Sequence, residues 1–559
     1  MMLKTFRLFV FSALLGLSAP ALAGGPGKAA ISSAHELATA AGFEILEAGG
    51  NAFDAAVAVS AALAVVEPAS SGIGGGGFWL LRHAATGHAT MVDGRETAPA
   101  AAHADMYLDE NGDVDRDRAI NGPLAAGIPG AAAGWVHISE TYGHLPLKQV
   151  LQPAIRLAQE GFPVDLKYQQ LLNFRAHIML RWPETAAIFM PDGELPEPGR
   201  IIVQPDLART LGRLAEGGLD GFYHGETARL LVEGSRAAGG IWTLDDLAGY
   251  RAVERRPIVL EHDGYTLITA PPPSSGGIAI AQVLNLIEPF GWQAMNRVDR
   301  VHLLAEAMRR AYRDRALYLG DPDFVEIPTG LLIDKAYAAG LRTTLRMDRA
   351  LPSSHLAADP ARVHESDNTT HFSLIDADGN MVSATLTVNL PYGSAFAAPG
   401  TGVLLNNEMD DFSAKEGEPN AYGLVGFKAN AIAPGKRMLS SMSPTLVLGD
   451  QRVAILGTPG GSRIISMVIL GILDFLEGNG PESWVSLPRF HHQYLPDEIS
   501  AETGALSDED IAALVTRGHD VSVRARPWGN MHGVMWDRVS NELSAAHDPR
   551  WESGGAEVR

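Results

Sequence analysis

From residue 381 to 389 apolar and polar side chains take turns. Val382, Ala384, Leu386 and Val388 share one parity, and Ser383, Thr385, Thr387 and Asn389 the other. A period of two predicts a strand with one apolar and one hydroxyl/amide face. Residues 372–376 are a second candidate strand, and Ala377-Asp378-Gly379-Asn380 between the two contains Asp-Gly, a strong hairpin signal. Folding the hairpin back brings Thr387 and Asn389 beside Thr369, within a residue of register. Upstream the pattern is mainly helical, as at 34–48, stopped by Gly49-Gly50, and at 301–318, with strands such as 78–82. The apolar run 52–66 is interrupted by Asp54 and broken by Pro68, so it predicts a buried helix and no membrane span. Downstream of Thr369 strands dominate. Residues 351–368 show neither periodicity and predict an exposed loop that can be severed without breaking a core.

The N-terminus carries Lys4 and Arg7, an apolar run from Leu8 to Leu17, then Ala21-Leu22-Ala23. This is the layout of a secretory signal peptide over 1–23, too short to span a bilayer, and it predicts a periplasmic or secreted protein without an anchor once the leader is removed. The 559 residues contain no cysteine, which excludes disulfides, thiolate metal sites and a cysteine nucleophile. Formal charge is −21, and more negative once Lys4 and Arg7 leave with the leader. That sign argues against nucleic-acid partners, and an anionic substrate needs a local cation. No repeat or low-complexity tract appears. Two interlocked parts, 24–368 and 369–559, are expected to share one core.

Asn368-Thr369-Thr370-His371 places a threonine directly after the loop. Were the chain cut before Thr369, one residue would hold a hydroxyl nucleophile and an α-amine able to act as its base. This run, with Leu405-Asn406-Asn407-Glu408-Met409-Asp410-Asp411, Leu439-Ser440-Ser441-Met442-Ser443-Pro444 and Gly457-Thr458-Pro459-Gly460-Gly461, resembles the γ-glutamyltranspeptidase family. Ser71 to Phe78, Asp93-Gly94-Arg95-Glu96, Pro271 to Gly277 and Leu319 to Phe324 match in the same order.

The resemblance implies an α+β fold, the αββα sandwich of N-terminal-nucleophile hydrolases, with two stacked antiparallel sheets between helical layers. It also implies self-cleavage at Asn368–Thr369 into a large and a small subunit. Thr369 would then attack a γ-glutamyl amide of a glutathione-like donor, and the acyl group would pass to water, an amino acid or a dipeptide. No cofactor or metal is implied. Thr387 would hydrogen-bond the nucleophile region, and Gly460 and Gly461 would offer N–H groups to the oxyanion. Arg95, Ser440 and Ser441 would hold the substrate α-carboxylate, and Asn389, Glu408 and Asp411 its α-ammonium. Tyr422, within 415–427, would belong to a lid.

Other signals point elsewhere. Gly72 to Gly77 lacks the lysine of a phosphate loop and predicts a backbone-packing turn. His491-His492 has no companion ligands at metal spacing and predicts a structural role. Residues 390–399 are atypical of the family and are expected to alter acceptor or leaving-group preference. The competing readings are a cephalosporin or glutaryl acylase of the same superfamily, and an exported solute-binding protein.

Overall fold

The computed structural model describes residues 24–356 and 368–559. The predicted signal peptide, and residues 357–367 of the predicted loop, lie outside the described residues. At the start of that loop Pro352, Ser354 and His355 are exposed as expected, but Ser353 and Asn368 are not. Ser353 is buried, donating to the Tyr494 carbonyl (2.7 Å) and accepting from Arg309, while Asn368 is 5% exposed. Hydrogen bonds to distant segments, which no local pattern announces, tie both ends down.

The hairpin forms from strands Thr370–Ile375 and Met381–Thr387, in the register Ile375↔Met381 to Thr370↔Leu386. Asp376 at its turn accepts from the amides of Asp378 and Asn380, and Asn380 donates to it as well. Both strands are central in a seven-stranded antiparallel sheet, in the order Gly555–Val558, Ala30–Ser33, Thr370–Ile375, Met381–Thr387, Gly76–Arg82, Ala89–Asp93, Val253–Arg255. A six-stranded antiparallel sheet runs Glu542–His547, His532–Asp537, Arg452–Gly457, Thr445–Leu448, Tyr265–Thr269, Ile258–His262. Each sheet is built from strands on both sides of Asn368–Thr369.

The apolar parity of the hairpin, with Phe372, Leu374, Val382, Ala384 and Leu386, packs in one core with helix Ala52–Val66. Every residue of that helix is buried. Asp54, the polar interruption in its sequence, forms a capping box with Asn51 and accepts from the His144 amide. The second sheet packs its outer face on helices Gly276–Ile287 and Ile464–Leu476, and helix Arg297–Tyr318 packs on the first of these. Downstream of Thr369 the chain therefore supplies helices as well as strands.

The polar parity is buried too, because it faces the second sheet. Ser383 donates to the Leu456 carbonyl (3.2 Å) and accepts from the Thr445 amide (3.0 Å), and Ser373 donates to the His532 carbonyl (3.1 Å). His371 bonds Thr385 (2.9 Å) and seats its ring on Gly457, where a Cβ would lie 2.2 Å from the imidazole. Burial holds His371 neutral, with its pKa down to about 3. The sheets are thus joined near the nucleophile by a hydrogen-bonded polar layer, as buried polar groups require.

The glycine run packs backbone on backbone. A Cβ on Gly74 would lie 2.1 Å from the Leu404 carbonyl oxygen, and one on Gly75 2.1 Å from that of Thr387. His491 and His492 bond protein partners, Ser466 with Gln493 and Asp497 respectively. Among the described residues no helix is long and apolar enough to cross a membrane.

Candidate active site

Extending the hairpin register one step past Thr370↔Leu386 sets Thr387 opposite Thr369, at the end of the central strands. Thr369 is 5% exposed, and its Oγ1 donates to the carbonyl oxygen of Asn368. The hydroxyl therefore lies against the peptide it is expected to attack. Thr387 reaches this point through the backbone. Its Oγ1 accepts the Asn389 N–H (2.7 Å), and Asn389 turns the chain with φ 73°, a conformation asparagine tolerates better than most residues.

One pocket is lined by Arg95, Thr369, Thr387, Asn389, Glu408, Asp411, Tyr422, Ser440, Ser441 and Gly461. Gly460 lies one residue behind the lining, at φ 138°, and helix Ile464–Leu476 begins just beyond. The positive end of its backbone dipole is thereby turned toward the site. The free space is about 20 Å³, room for one or two waters. Tyr422 closes it. Its ring occupies the place a Cβ on Gly461 would take (2.3 Å), and its hydroxyl bonds the carbonyls of Asn389 (2.6 Å) and Asn368 (3.3 Å).

The charged groups neutralise one another. Arg95 leaves the end of strand Ala89–Asp93, is held by the Asp93 side chain at its amide and by Met438 O at Nε, and bonds Glu408 and Asp411 (2.5 Å) with its two terminal nitrogens. The residue expected to take a carboxylate is thus engaged by the two acids expected to take an ammonium. Burial would lower the Arg95 pKa, but Glu408, Asp411 and Glu96 raise it overall. Burial raises Glu408 well above the carboxylate range against the pull of Arg95, and raises Glu96 to about 7. Glu408 Oε2 is buried and has no hydrogen-bond partner among the described residues. The Ser440 hydroxyl accepts from the Met442 amide (3.1 Å), and that of Ser441 accepts a long bond from Arg315 (3.5 Å). Both serines keep an O–H to donate.

Two charged residues at this site escaped sequence reasoning. Glu96 belongs to a matched motif, yet nothing local marks it as a third acid beside Arg95 (3.6 Å). Arg315 sits in the charged run Arg313-Asp314-Arg315, which reads as a solvated helix face. It is instead buried, donates to Ser275 (3.1 Å), and makes no ion pair among the described residues. Burial lowers its pKa to about 10. None of residues 390–399 lines the pocket. The Tyr392 ring packs instead on Tyr168 and Phe189.

A buried hydroxyl against a peptide carbonyl, at the mouth of a two-sheet sandwich between helical layers, defines an N-terminal-nucleophile hydrolase. A family model described as gamma-glutamyltranspeptidase matches residues 38–558, and the chain belongs to that family. It is 43% identical over 525 residues to the glutathione hydrolase proenzyme of Escherichia coli (strain K12), covering 93% of this chain and 90% of that protein. It is 38% identical over 545 residues to the acylase ACY 1 proenzyme of Pseudomonas sp. (strain SE83), covering 94% and 92%. The crystal structure of cephalosporin acylase from Bacillus halodurans superposes with a TM-score of 0.83 at 26% identity, covering 99% of both chains.

Proposed function

We propose that the protein is a self-processing γ-glutamyltransferase and glutathione hydrolase, exported by its leader to the periplasm or medium. The observation that carries this reading is one pocket holding Thr369 together with a cation, two acids and two hydroxyl donors. That set complements an α-amino acid head, which presents a carboxylate and an ammonium at once.

Maturation begins with attack of Thr369 Oγ on the Asn368 carbonyl carbon. The Asn368–Thr369 C–N bond breaks, leaving the Thr369 amine free and Asn368 as an ester on the hydroxyl. Water hydrolyses that ester. In the cut enzyme the α-amine takes the hydroxyl proton as Oγ attacks the γ-carbonyl of the donor. The N–H groups of Gly460 and Gly461 face the developing oxyanion. The leaving amine takes a proton, and the γ-glutamyl ester on Thr369 is passed to water or to an amino acid or dipeptide amine. For the donor to enter, its carboxylate displaces Glu408 and Asp411 from Arg95, and its ammonium takes the acids so released. Glu408 Oε2 supplies an acceptor already lacking a donor. Tyr422 must withdraw from Gly461, which fits a lid.

The acylase reading is favoured by the similarity to acylases over the whole chain. A glutaryl side chain has no ammonium, so it leaves Asn389, Glu408 and Asp411 without their proposed partner. Turnover of γ-glutamyl and glutaryl anilides separates the two readings: γ-glutamyl preference is expected, and glutaryl preference refutes it.

A further inference from the structure

Self-cleavage requires the scissile carbonyl to be held still, and the structure holds it from an unexpected side. The Asn368 side chain is buried against the turn that follows helix Ala52–Val66. Its Nδ2 donates to the carbonyl of Ala69, and its Oδ1 accepts from the hydroxyl of Ser70 (3.0 Å), a fully buried residue. The turn itself is fixed: the amides of Ser70 and Ser71 donate to the Glu67 carbonyl (2.9 and 3.2 Å), and the Tyr392 amide shares the Ala69 carbonyl (2.9 Å). On the backbone side, Thr369 Oγ1 and Tyr422 OH reach the Asn368 carbonyl oxygen. Both ends of this one residue are therefore gripped.

Asparagine before a scissile bond carries a chemical hazard. Its own side-chain nitrogen can attack its backbone carbonyl, closing a five-membered succinimide. The Asn368–Thr369 C–N bond then breaks, and the proton lost by Nδ2 goes to the departing Thr369 amine. No water is consumed, so the large fragment ends one water lighter than the product of the threonine route, while the small fragment is the same. Asn368 Nδ2 engaged on the Ala69 carbonyl, with Oδ1 engaged by Ser70, is kept from turning inward.

We propose that Ala69 and Ser70 form a clamp on the Asn368 carboxamide, positioning the scissile carbonyl for Thr369 and suppressing the succinimide route. Ser70 is thus a positioning residue for maturation. The inference rests on self-cleavage by Thr369 as proposed above.

The test uses full-length precursor made by cell-free translation, with cleavage timed on gels and the large fragment weighed intact. Loss of one buried hydrogen bond slows cleavage about five- to tenfold in Ser70→Ala. A fraction of its large fragment ends in succinimide, a product that a merely structural role for Ser70 does not create. Ser70→Thr, which restores the hydroxyl, recovers the rate. Asn368→Ala probes the clamp from its other side and is expected to be slow, and Ser70→Ala adds no further slowing in that background. Wild-type rates in Ser70→Ala or Asn368→Ala, or equal slowing by Ser70→Ala in both backgrounds, overturn the clamp. Cleavage of Thr369→Ala overturns the nucleophile reading instead, so the two failures are distinguishable.

Discussion

Arg95→Lys tests the assignment of the substrate-recognition cluster. The guanidinium spreads three contacts over Met438 O, Glu408 and Asp411, with the side chain 1% exposed. Lysine keeps the charge but presents it as a point and cannot make the paired contact with a carboxylate. Losing one charge-assisted hydrogen bond to the substrate carboxylate corresponds to about 1.5–3 kcal/mol, or roughly 10- to 150-fold in kcat/KM. Because this contact is made in both ground and transition state, the loss is expected in KM, with kcat little changed. Arg95 touches neither Asn368 nor Thr369, so the precursor should still be cut. Steady-state kinetics with a γ-glutamyl anilide, beside intact mass of the purified protein, reads both parts. A fall in kcat at constant KM, or an uncut chain, refutes the reasoning.

Thr369→Ala should remain one chain with no γ-glutamyl transfer, and Thr369→Ser should be cut more slowly, the lost methyl loosening the hydroxyl's rotamer; N-terminal sequencing of the small fragment, expected to begin at residue 369, checks this. Arg315→Met removes a buried cation that has no ion-pair partner among the described residues, so the melting temperature should hold or rise while KM for the γ-glutamyl donor increases about fivefold, the signature of a charge retained for an arriving anion. An unchanged KM discards that role. Asp410, raised to about 7 by burial and then by Asp411, contributes stability that is full below the unfolded-state carboxylate pKa and is lost as pH rises through about 7. Asp410→Asn should therefore flatten the decline of melting temperature between about pH 4 and 7, and a profile parallel to that of the wild type counts against it.

Much of the site was legible in the chain because its chemistry is carried by contiguous motifs. The hairpin could be read from alternation and Asp-Gly, and its register put Thr387 opposite Thr369 because the pairing of a short hairpin is set locally. The glycine run was read as backbone packing for want of a phosphate loop's lysine, and Gly74 and Gly75 do meet carbonyls at distances that leave no room for a side chain. Buried helices announced themselves by apolar content, as at Ala52–Val66.

Other features depended on distant segments. Alternation in 381–389 predicts two unlike faces but cannot say that the polar one is covered, since that follows from a second sheet built of strands such as Thr445–Leu448 and Arg452–Gly457. Arg315 reads as a surface charge on a helix until the fold sets Ser275 and Ser441 around it. The mutual engagement of Arg95, Glu408 and Asp411 likewise belongs to the folded protein alone. From the residue types one can list a cation for a carboxylate and acids for an ammonium. Only their enclosure together, away from water, makes them pair with each other. Sequence determined which groups the chemistry uses, because bond-making depends on residue type and local order. Tertiary structure decided their charge state, their partners and the grip on Asn368, because those depend on burial and on segments some 300 residues apart, as Ser70 and Asn368 are.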